Sequence, residues 1–181
     1  MTAINYLRGN PLVAGEYVND FFEKLGHGRP INAWDVNGHI SAVFIDGQLR
    51  GAAYAATATS IADALFSGHY SLDGVVTAMR FHSLEALAIP PDCEGNEYNT
   101  HLLESIADHA RRDFGADYLL ARLDDADVEW YARRQFTVCG KDERLTMNGV
   151  PLPASEGYLD SWRSLLRAVP AVSTMSKVRV H

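Results

Sequence analysis

From Leu84 to Phe136 the chain reads LEALAIPPDCEGNEYNTHLLESIADHARRDFGADYLLARLDDADVEWYARRQF, a succession of strand-like and helix-like patterns. The apolar run Phe81 to Ile89 has the length of a strand, and two prolines that cannot donate to a sheet ladder stop it. A helix is predicted over HLLESIADHARRDFGA, because its apolar residues share one stripe, two arginines stand in the last turn and Gly115 ends it. A strand over Tyr118 to Leu123 and a short helix over Val128 to Arg134 follow.

Upstream of this stretch the sequence predicts a helix and then a hairpin. Asn10 and Pro11 have the residue types of an N-cap and a first helical position, and Gly26 ends the amphipathic pattern that they open. The runs His39 to Ile45 and Leu49 to Ala55 flank an Asp-Gly pair, which is typical of a type I′ turn because both central residues need a positive φ. We therefore expect two antiparallel strands here.

Downstream, the patterns predict a hairpin and a last helix. Phe136 to Cys139 and Arg144 to Met147 are strand-like around a polar turn, and apolar residues from Tyr158 to Val169 recur at helical spacing. Between the first hairpin and Phe81, SIADALF predicts a short helix. The order of elements predicts an α/β (α+β) fold, with a mixed, mostly antiparallel central sheet flanked by helices and an extra C-terminal helix. We expect one domain over residues 1–150 and a helical extension over 151–181 that packs on it.

Composition limits the classes of partner. The chain has 181 residues, 47% of them hydrophobic and 22% charged, as in an ordinary globular protein. The net charge of −7, from 16 basic and 23 acidic residues, argues against a nucleic-acid partner. No stretch approaches the ~20 apolar residues of a membrane span, so we expect a cytoplasmic protein with no membrane partner. The seven histidines have no metal-ligand spacing and the two cysteines form no framework, so no metal is predicted.

The quoted stretch also carries a family pattern. The triplet Leu87, Ala88, Ile89 ends a strand, Pro91 follows, and the loop DCEGNEYNT opens the long helix; the strand YLLARL and the segment WYARRQF complete the series. In this order the chain resembles the GNAT N-acetyltransferase superfamily, over about a third of its length in detail. The resemblance implies an acyl-CoA-dependent N-acyltransferase that uses acetyl-CoA as a co-substrate and an amine of a small molecule or protein as the acceptor.

The resemblance further implies where the co-substrate binds. In the family the strand end contacts the pantetheine, and backbone N–H groups at the loop and helix start hold the pyrophosphate. The corresponding residues here are Leu87, Ala88, Ile89, Gly95, Asn96, Tyr98, Asn99 and Thr100.

The loop departs from the family pattern of Gln or Arg, two free positions, Gly, one free position, and Gly or Ala. Glu94, Glu97 and Asn99 stand at the three specified positions, and Asp92 adds a carboxylate. Carboxylates ~5 Å from a diphosphate cost on the order of a kcal/mol per pair. Alternatively, these acidic residues only stabilise the helix start, by about 0.3–1 kcal/mol each.

Two residues are candidates for proton transfer. Tyr131 matches the tyrosine of the family's aromatic signature, whose phenol donates a proton to the leaving thiolate; Phe136 is retained, while Gln135 replaces a glycine. Glu85 interrupts an apolar strand and is the candidate base for the amine, with His82 in reserve. The alternatives are that Tyr131 only packs and that Glu85 only forms a salt bridge.

Strand alternation places Ser83, Glu85, Leu87 and Ile89 on one face, with His82, Leu84, Ala86 and Ala88 on the other.

Three hypotheses for the function stay open at this point. The first is the acyltransferase with Tyr131 as acid and Glu85 as base. The second is a binding or regulatory module on the same scaffold that has lost its cofactor loop, and the third is a related enzyme with another donor or reaction. The C-terminal helix could cover the cleft or form a homodimer contact.

Overall fold

The computed structural model describes residues 3–35, 37–57, 80–93, 97–123, 127–134, 136–138, 146–147, 150–151 and 163–168. In chain order the elements are β1 (Ile4–Gly9), α1 (Pro11–Lys24), β2 (His39–Ile45), β3 (Gln48–Thr57), β4 (Phe81–Ala88), a single 3₁₀ turn (Pro91–Cys93), α2 (Tyr98–Phe114), β5 (Tyr118–Leu123), α3 (Val128–Ala132), β6 (Thr137–Val138), β7 (Thr146–Met147), β8 (Val150–Pro151) and β9 (Arg163–Ala168).

Seven of the described strands form one sheet, in the order β1-β2-β3-β4-β5-β9-β6. Neighbouring strands are antiparallel except for β4 and β5, which run parallel and are joined through α2. The prediction of a mixed, mostly antiparallel sheet flanked by helices is confirmed.

Local signals in the sequence set the ends of several elements. The Asn10 side chain accepts a hydrogen bond of 2.7 Å from the backbone N–H two residues on, as an N-cap does. Asp46 and Gly47 have φ of 49° and 79°, so the predicted tight turn joins β2 and β3. Gly115, with φ of 68°, ends α2 in the left-handed conformation.

Apolar clusters cover both faces of the sheet. On the face that carries α2 the buried members are Val43, Ala53, Ala55, Leu84, Leu102, Leu103, Ile106, Ala107, Leu119, Ala121, Tyr131 and Phe136. On the face that carries α1 they are Val18, Phe22, Ile31, Ile40, Ala52, Tyr54, Ala56, Ala86 and Ala88. The central strands of the sheet therefore lie between two helices and are buried on both sides.

A β-bulge in β4 corrects the predicted strand faces. Tyr54 of β3 pairs with Ala86, and the next residue, Ala55, pairs with Leu84, so Glu85 has no partner in this ladder. The extra residue resets the alternation. Leu84 and Leu87, three residues apart, both pack on the α2 side, whereas Ala86 lies on the α1 side. The prediction that grouped Leu84 with Ala86 and Ala88 is wrong for this reason.

The predictions for the tail are also corrected. Residues 163–168, for which the apolar spacing predicts a helix, form strand β9 between β5 and β6. The predicted last hairpin is wrong too, because β6 pairs with β9 while β7 pairs with β8. The physical reason is that β5 lies in the middle of the core, where an open edge would leave buried backbone groups unpaired.

The first strand was not predicted, and one predicted helix is not tested. β1 pairs with β2 along its length, yet its side chains are mostly exposed. Because its sequence therefore lacks an apolar alternation, the strand was not predicted. The helix predicted for SIADALF lies outside the described residues. None of the helices in the described ranges has the length and apolarity to cross a bilayer.

Candidate functional site

The site begins where β4 and β5 separate. Their parallel ladder runs from Phe81 opposite Tyr118 to Leu84 opposite Ala121, and β4 then continues to Ala88. Separation starts at the bulge residue Glu85, because a bulge bends its strand away from the neighbouring ladder. Beyond that point the β5-facing backbone edge of β4 has no strand partner among the described residues.

A cleft of about 310 Å³ opens at this gap. Its walls come from the end of β4, the start of α2, helix α3 and the segment after α1, through Leu87, Ala88, Ile89, Asn99, Asp127, Trp130, Tyr131 and His27. Five of these eight residues are ones that the resemblance implied: Leu87, Ala88, Ile89, Asn99 and Tyr131. His27, Asp127 and Trp130 were not predicted, since no local pattern separates them from ordinary loop and packing residues.

Tyr131 is buried near the C-terminal end of α3 and contacts two aromatic rings. Trp130 and Phe136 contact it edge-on, with ring centroids at 4.7 and 5.1 Å. Burial raises the pKa of the phenol well above its ordinary value, and the nearby carboxylate of Asp127 raises it further. Tyr131 therefore stays protonated at neutral pH, as a general acid must be before the reaction, and the same ring also packs in the α2 cluster.

Two arginines from other elements lie near the acidic loop before α2 and the first turn of that helix. Asp92 forms an ion pair of 3.0 Å with Arg50 of β3. Arg134, which follows α3, donates to the hydroxyl of Thr100 in the first turn of α2, from Nε at 3.0 Å and from Nη2 at 2.6 Å. Arg50 thus offsets the charge of Asp92, and Arg134 places a cation at the first turn of α2, which reduces the repulsion that an anionic ligand would meet.

Of the remaining residues of the loop, the structure describes some and not others. Tyr98 is partly buried against the α2 cluster, and Glu97 stands at the N-cap of α2 without a side-chain cap bond. Glu94, Gly95 and Asn96 lie outside the described residues, as does Gln135.

Glu85 is exposed at the bulge, near the buried phenol of Tyr54. The pKa of Tyr54 is raised mainly by burial, then by Asp35, with a smaller contribution from Glu85. In the part of the chain that the structure describes, no Lys or Arg pairs with Glu85, so the salt-bridge alternative has no partner there. Glu85 is the bulge residue at the point where β4 leaves β5, two residues before Leu87, and its side chain is not among those that line the cleft.

His82, the reserve base, lies elsewhere. It is 1% exposed beneath α2, against His39 and Phe114, and it is not among the residues that line the cleft. Burial, followed by the neighbouring His109, lowers its pKa to about 4. A buried imidazole of this kind is a poor proton acceptor for a reaction in the cleft.

Two other chemistries find little support at this site. Burial raises the pKa of the Cys93 thiol, and Asp92 raises it further, which disfavours a thiolate nucleophile. Across the described ranges, no three His, Cys, Asp or Glu side chains are grouped so that they could hold a metal ion.

No family model matches the sequence, and no curated protein matches it. Solved structures do match the fold. The N-acetylglutamate synthase of Neisseria gonorrhoeae, complexed with coenzyme A and N-acetyl-glutamate, has 19% sequence identity and a TM-score of 0.56, and the match covers 94% of this chain and 36% of the synthase. The chain thus spans about a third of that protein.

Two shorter proteins match over nearly their whole length. A GNAT-family protein of Desulfovibrio desulfuricans has 13% identity and a TM-score of 0.57, with 93% of this chain and 100% of that chain covered. The yncA protein of Salmonella typhimurium, solved with its cofactor acetyl-CoA, has 14% identity and a TM-score of 0.54, with 98% and 99% covered. Identities this low establish architecture and nothing finer. The chain has the fold of the GNAT N-acetyltransferases.

Proposed function

We propose that the protein is an acyl-CoA-dependent N-acyltransferase, which transfers an acetyl group from acetyl-CoA to an amine of a small molecule or protein. The observation that carries this proposal is the cleft between the diverging ends of β4 and β5, with a protonated phenol, Tyr131, in its wall. Proteins of the same fold were solved with coenzyme A or with acetyl-CoA, which supports the choice of donor.

The open edge of β4 supplies the first part of the mechanism. Backbone N–H and C=O groups beyond the bulge have no partner on β5, so they can pair with the amides of a pantetheine arm as a neighbouring strand would. A backbone N–H at this edge would also polarise the thioester carbonyl. Leu87 and Ile89 would pack on the apolar part of the arm, and Asn99 with the first turn of α2 would hold the diphosphate.

Proton transfer completes the mechanism. Glu85 would take the proton from the ammonium form of the acceptor, directly or through water, so that the amine attacks the thioester carbonyl carbon. The carbon–sulfur bond breaks, and Tyr131 would donate its proton to the departing thiolate. The attacking nitrogen loses a second proton as the amide forms. This proton reaches the phenolate of Tyr131 through solvent, so protons balance over one turnover.

One observation favours a different function. Glu97 is exposed at the N-cap of α2, where a carboxylate would face the diphosphate. A binding module that has lost its acyl-CoA site would retain the fold and this residue without penalty.

A titration separates the two functions. Acetyl-CoA at a hundredfold excess over its Kd should raise the stability of the fold by about 2.7 kcal/mol, which is visible as a higher melting temperature. No shift at millimolar acetyl-CoA would refute the acyltransferase and favour the binding module.

Turnover is then measured as thiol release from acetyl-CoA in the presence of a panel of amines. We expect Tyr131→Phe to lower the rate by about 10²-fold while the melting shift with acetyl-CoA persists. Tyr118→Phe is the matched control, because Tyr118 stacks on Phe81 in the sheet and does not line the cleft. Equal rates for Tyr131→Phe and the control would remove Tyr131 from the mechanism.

A further inference from the structure

We propose that Arg134 binds a phosphate of the acyl-CoA donor and supplies the positive charge that the acidic loop before α2 lacks. This inference rests on the proposed function. It gives a phosphate-binding role to a residue that lies outside the loop that the family pattern describes.

The guanidinium of Arg134 is held in one orientation. Nε and Nη2 donate to the hydroxyl of Thr100 at 3.0 and 2.6 Å, and Nη1 donates to the backbone carbonyl of Trp130 at 3.0 Å. The guanidinium carbon lies 3.7 Å from the centroid of the Trp130 ring. A planar guanidinium fixed by stacking and hydrogen bonds loses little further freedom when it binds an anion.

The same contacts leave donors available. A guanidinium carries five N–H groups, and the contacts to Thr100 and Trp130 use three of them, one each on Nε, Nη1 and Nη2. One N–H on each terminal nitrogen remains. Each of these N–H groups can donate to an oxygen of a phosphate group.

The position of Arg134 places this charge at the edge of the cleft. Trp130, which it stacks on, lines the cleft, and so does Asn99, the neighbour of the Thr100 that it contacts. Glu97 and Glu104 act electrostatically on the same guanidinium, so its charge offsets acidic groups at the helix start. The diphosphate that the proposed mechanism seats at the first turn of α2 would therefore meet a cation beside the carboxylates.

A purely structural role would use the same contacts, because Arg134 also ties α3 to α2. The two roles differ in what they do to charge-dependent binding. A phosphate contact makes the affinity for acetyl-CoA fall with added salt, whereas a tie between two helices affects charged and uncharged donors alike.

The test compares Arg134→Gln with Arg133→Gln. Arg133 is the neighbouring residue, is exposed and pairs with Glu129 on its own helix, so it is the matched control. The Kd for acetyl-CoA is measured by calorimetry at two salt concentrations, and the Kd for acetyl-pantetheine, which has no phosphates, by displacement. We expect Arg134→Gln to weaken acetyl-CoA binding by about tenfold or more, to flatten its salt dependence and to spare acetyl-pantetheine, and Arg133→Gln to change none of these.

The outcomes separate this inference from the proposed function. If the wild-type protein binds no acetyl-CoA, the proposed function fails and the inference fails with it. If the wild-type protein binds acetyl-CoA and Arg134→Gln keeps the wild-type salt dependence, only the role of Arg134 is refuted. Should Arg134→Gln fold poorly, Arg134→Lys retains a charge without the planar fork; it should weaken acetyl-CoA binding while sparing acetyl-pantetheine, and an acetyl-CoA affinity equal to that of the wild-type protein would refute the role of Arg134.

Discussion

Acid should destabilise the fold through a cluster of three imidazoles beneath α2. His39 of β2 lies between His82 of β4 and His109 of α2, with ring centroids at 5.3 and 4.6 Å, and Phe114 closes the cluster. The Nδ1 atoms of the three rings are buried and have no hydrogen-bond partner among the described residues. A proton added at these Nδ1 atoms would therefore place charge among buried rings, which is unfavourable.

The pKa values give the size of the effect. Burial first, and then the neighbouring histidines, lower the pKa of His39 to about 3, and His82 titrates at about 4. Because the unfolded chain takes up these protons near pH 6.5 and the folded chain does not, stability falls as the pH drops from 6.5 toward 4. At pH 5 each of the two residues costs about 2 kcal/mol relative to pH 8, so together they cost about 4 kcal/mol.

Opposing influences act on the pKa of the third imidazole, His109. Burial lowers the pKa of His109 most, while the carboxylate of Asp113, 2.8 Å from Nε2, opposes the shift. Asp108 of α2 acts in the same sense as Asp113, and Arg8 of β1 acts against them. His109 should therefore contribute less to the acid sensitivity than His39 or His82.

Urea unfolding at pH 7 and pH 5 measures the effect. In His82→Phe, which keeps a ring in the aromatic cluster but removes one titrating group, the loss of unfolding free energy between pH 7 and pH 5 should shrink by about 2 kcal/mol. His101→Gln is the control, because His101 is an exposed histidine of α2 outside the cluster. If His82→Phe loses as much stability between the two pH values as the wild-type protein does, the reasoning about the buried cluster is refuted.

Three other variants test the site and the packing. Glu85→Gln should lower acetyl transfer by 10²-fold or more while the melting shift with acetyl-CoA persists, and unchanged turnover would exclude Glu85 as the base. Asn19→Ala should cost about 2–3 kcal/mol in urea unfolding, because the 3% exposed amide pairs with both the N–H and the C=O of Ile31 at 2.9 Å; a loss below 0.5 kcal/mol would contradict this. Gly51→Ala should lower the unfolding free energy by about 1–3 kcal/mol, since the added Cβ would lie 2.8 Å from Cγ1 of Val43, and an unchanged melting temperature would show that the neighbours yield freely.

The elements that frame the candidate site followed from local patterns. The prolines and glycines around the long helix, the apolar strand before it and the segment after it predicted where β4, α2 and α3 lie, whereas Tyr131 was chosen because of the family resemblance. His27, Trp130 and Arg134 were missed, because an aromatic or basic residue in a short helix or loop has no signal that distinguishes a cleft wall from a surface.

The strand faces were misjudged for a related reason. A bulge is defined by a register across two strands, and only the pairing of Tyr54 with Ala86 shows that Glu85 is the extra residue. The histidine cluster is a similar case, since its members come from positions 39, 82 and 109 and meet only when α2 packs on the sheet.

A few adjacent residues determine the N-cap at Asn10, the Asp-Gly turn and the end of α2 at Gly115, because capping and turn formation depend on neighbours along the chain. The partner of β5 is a different matter. Residues 163–168 have an apolar spacing that suits a helix, yet in the fold they form β9, because the open edge of a buried strand is satisfied only by another strand, whatever its distance along the chain. Tertiary contacts likewise decide that β4 bends away from β5, and with that separation they make the cleft.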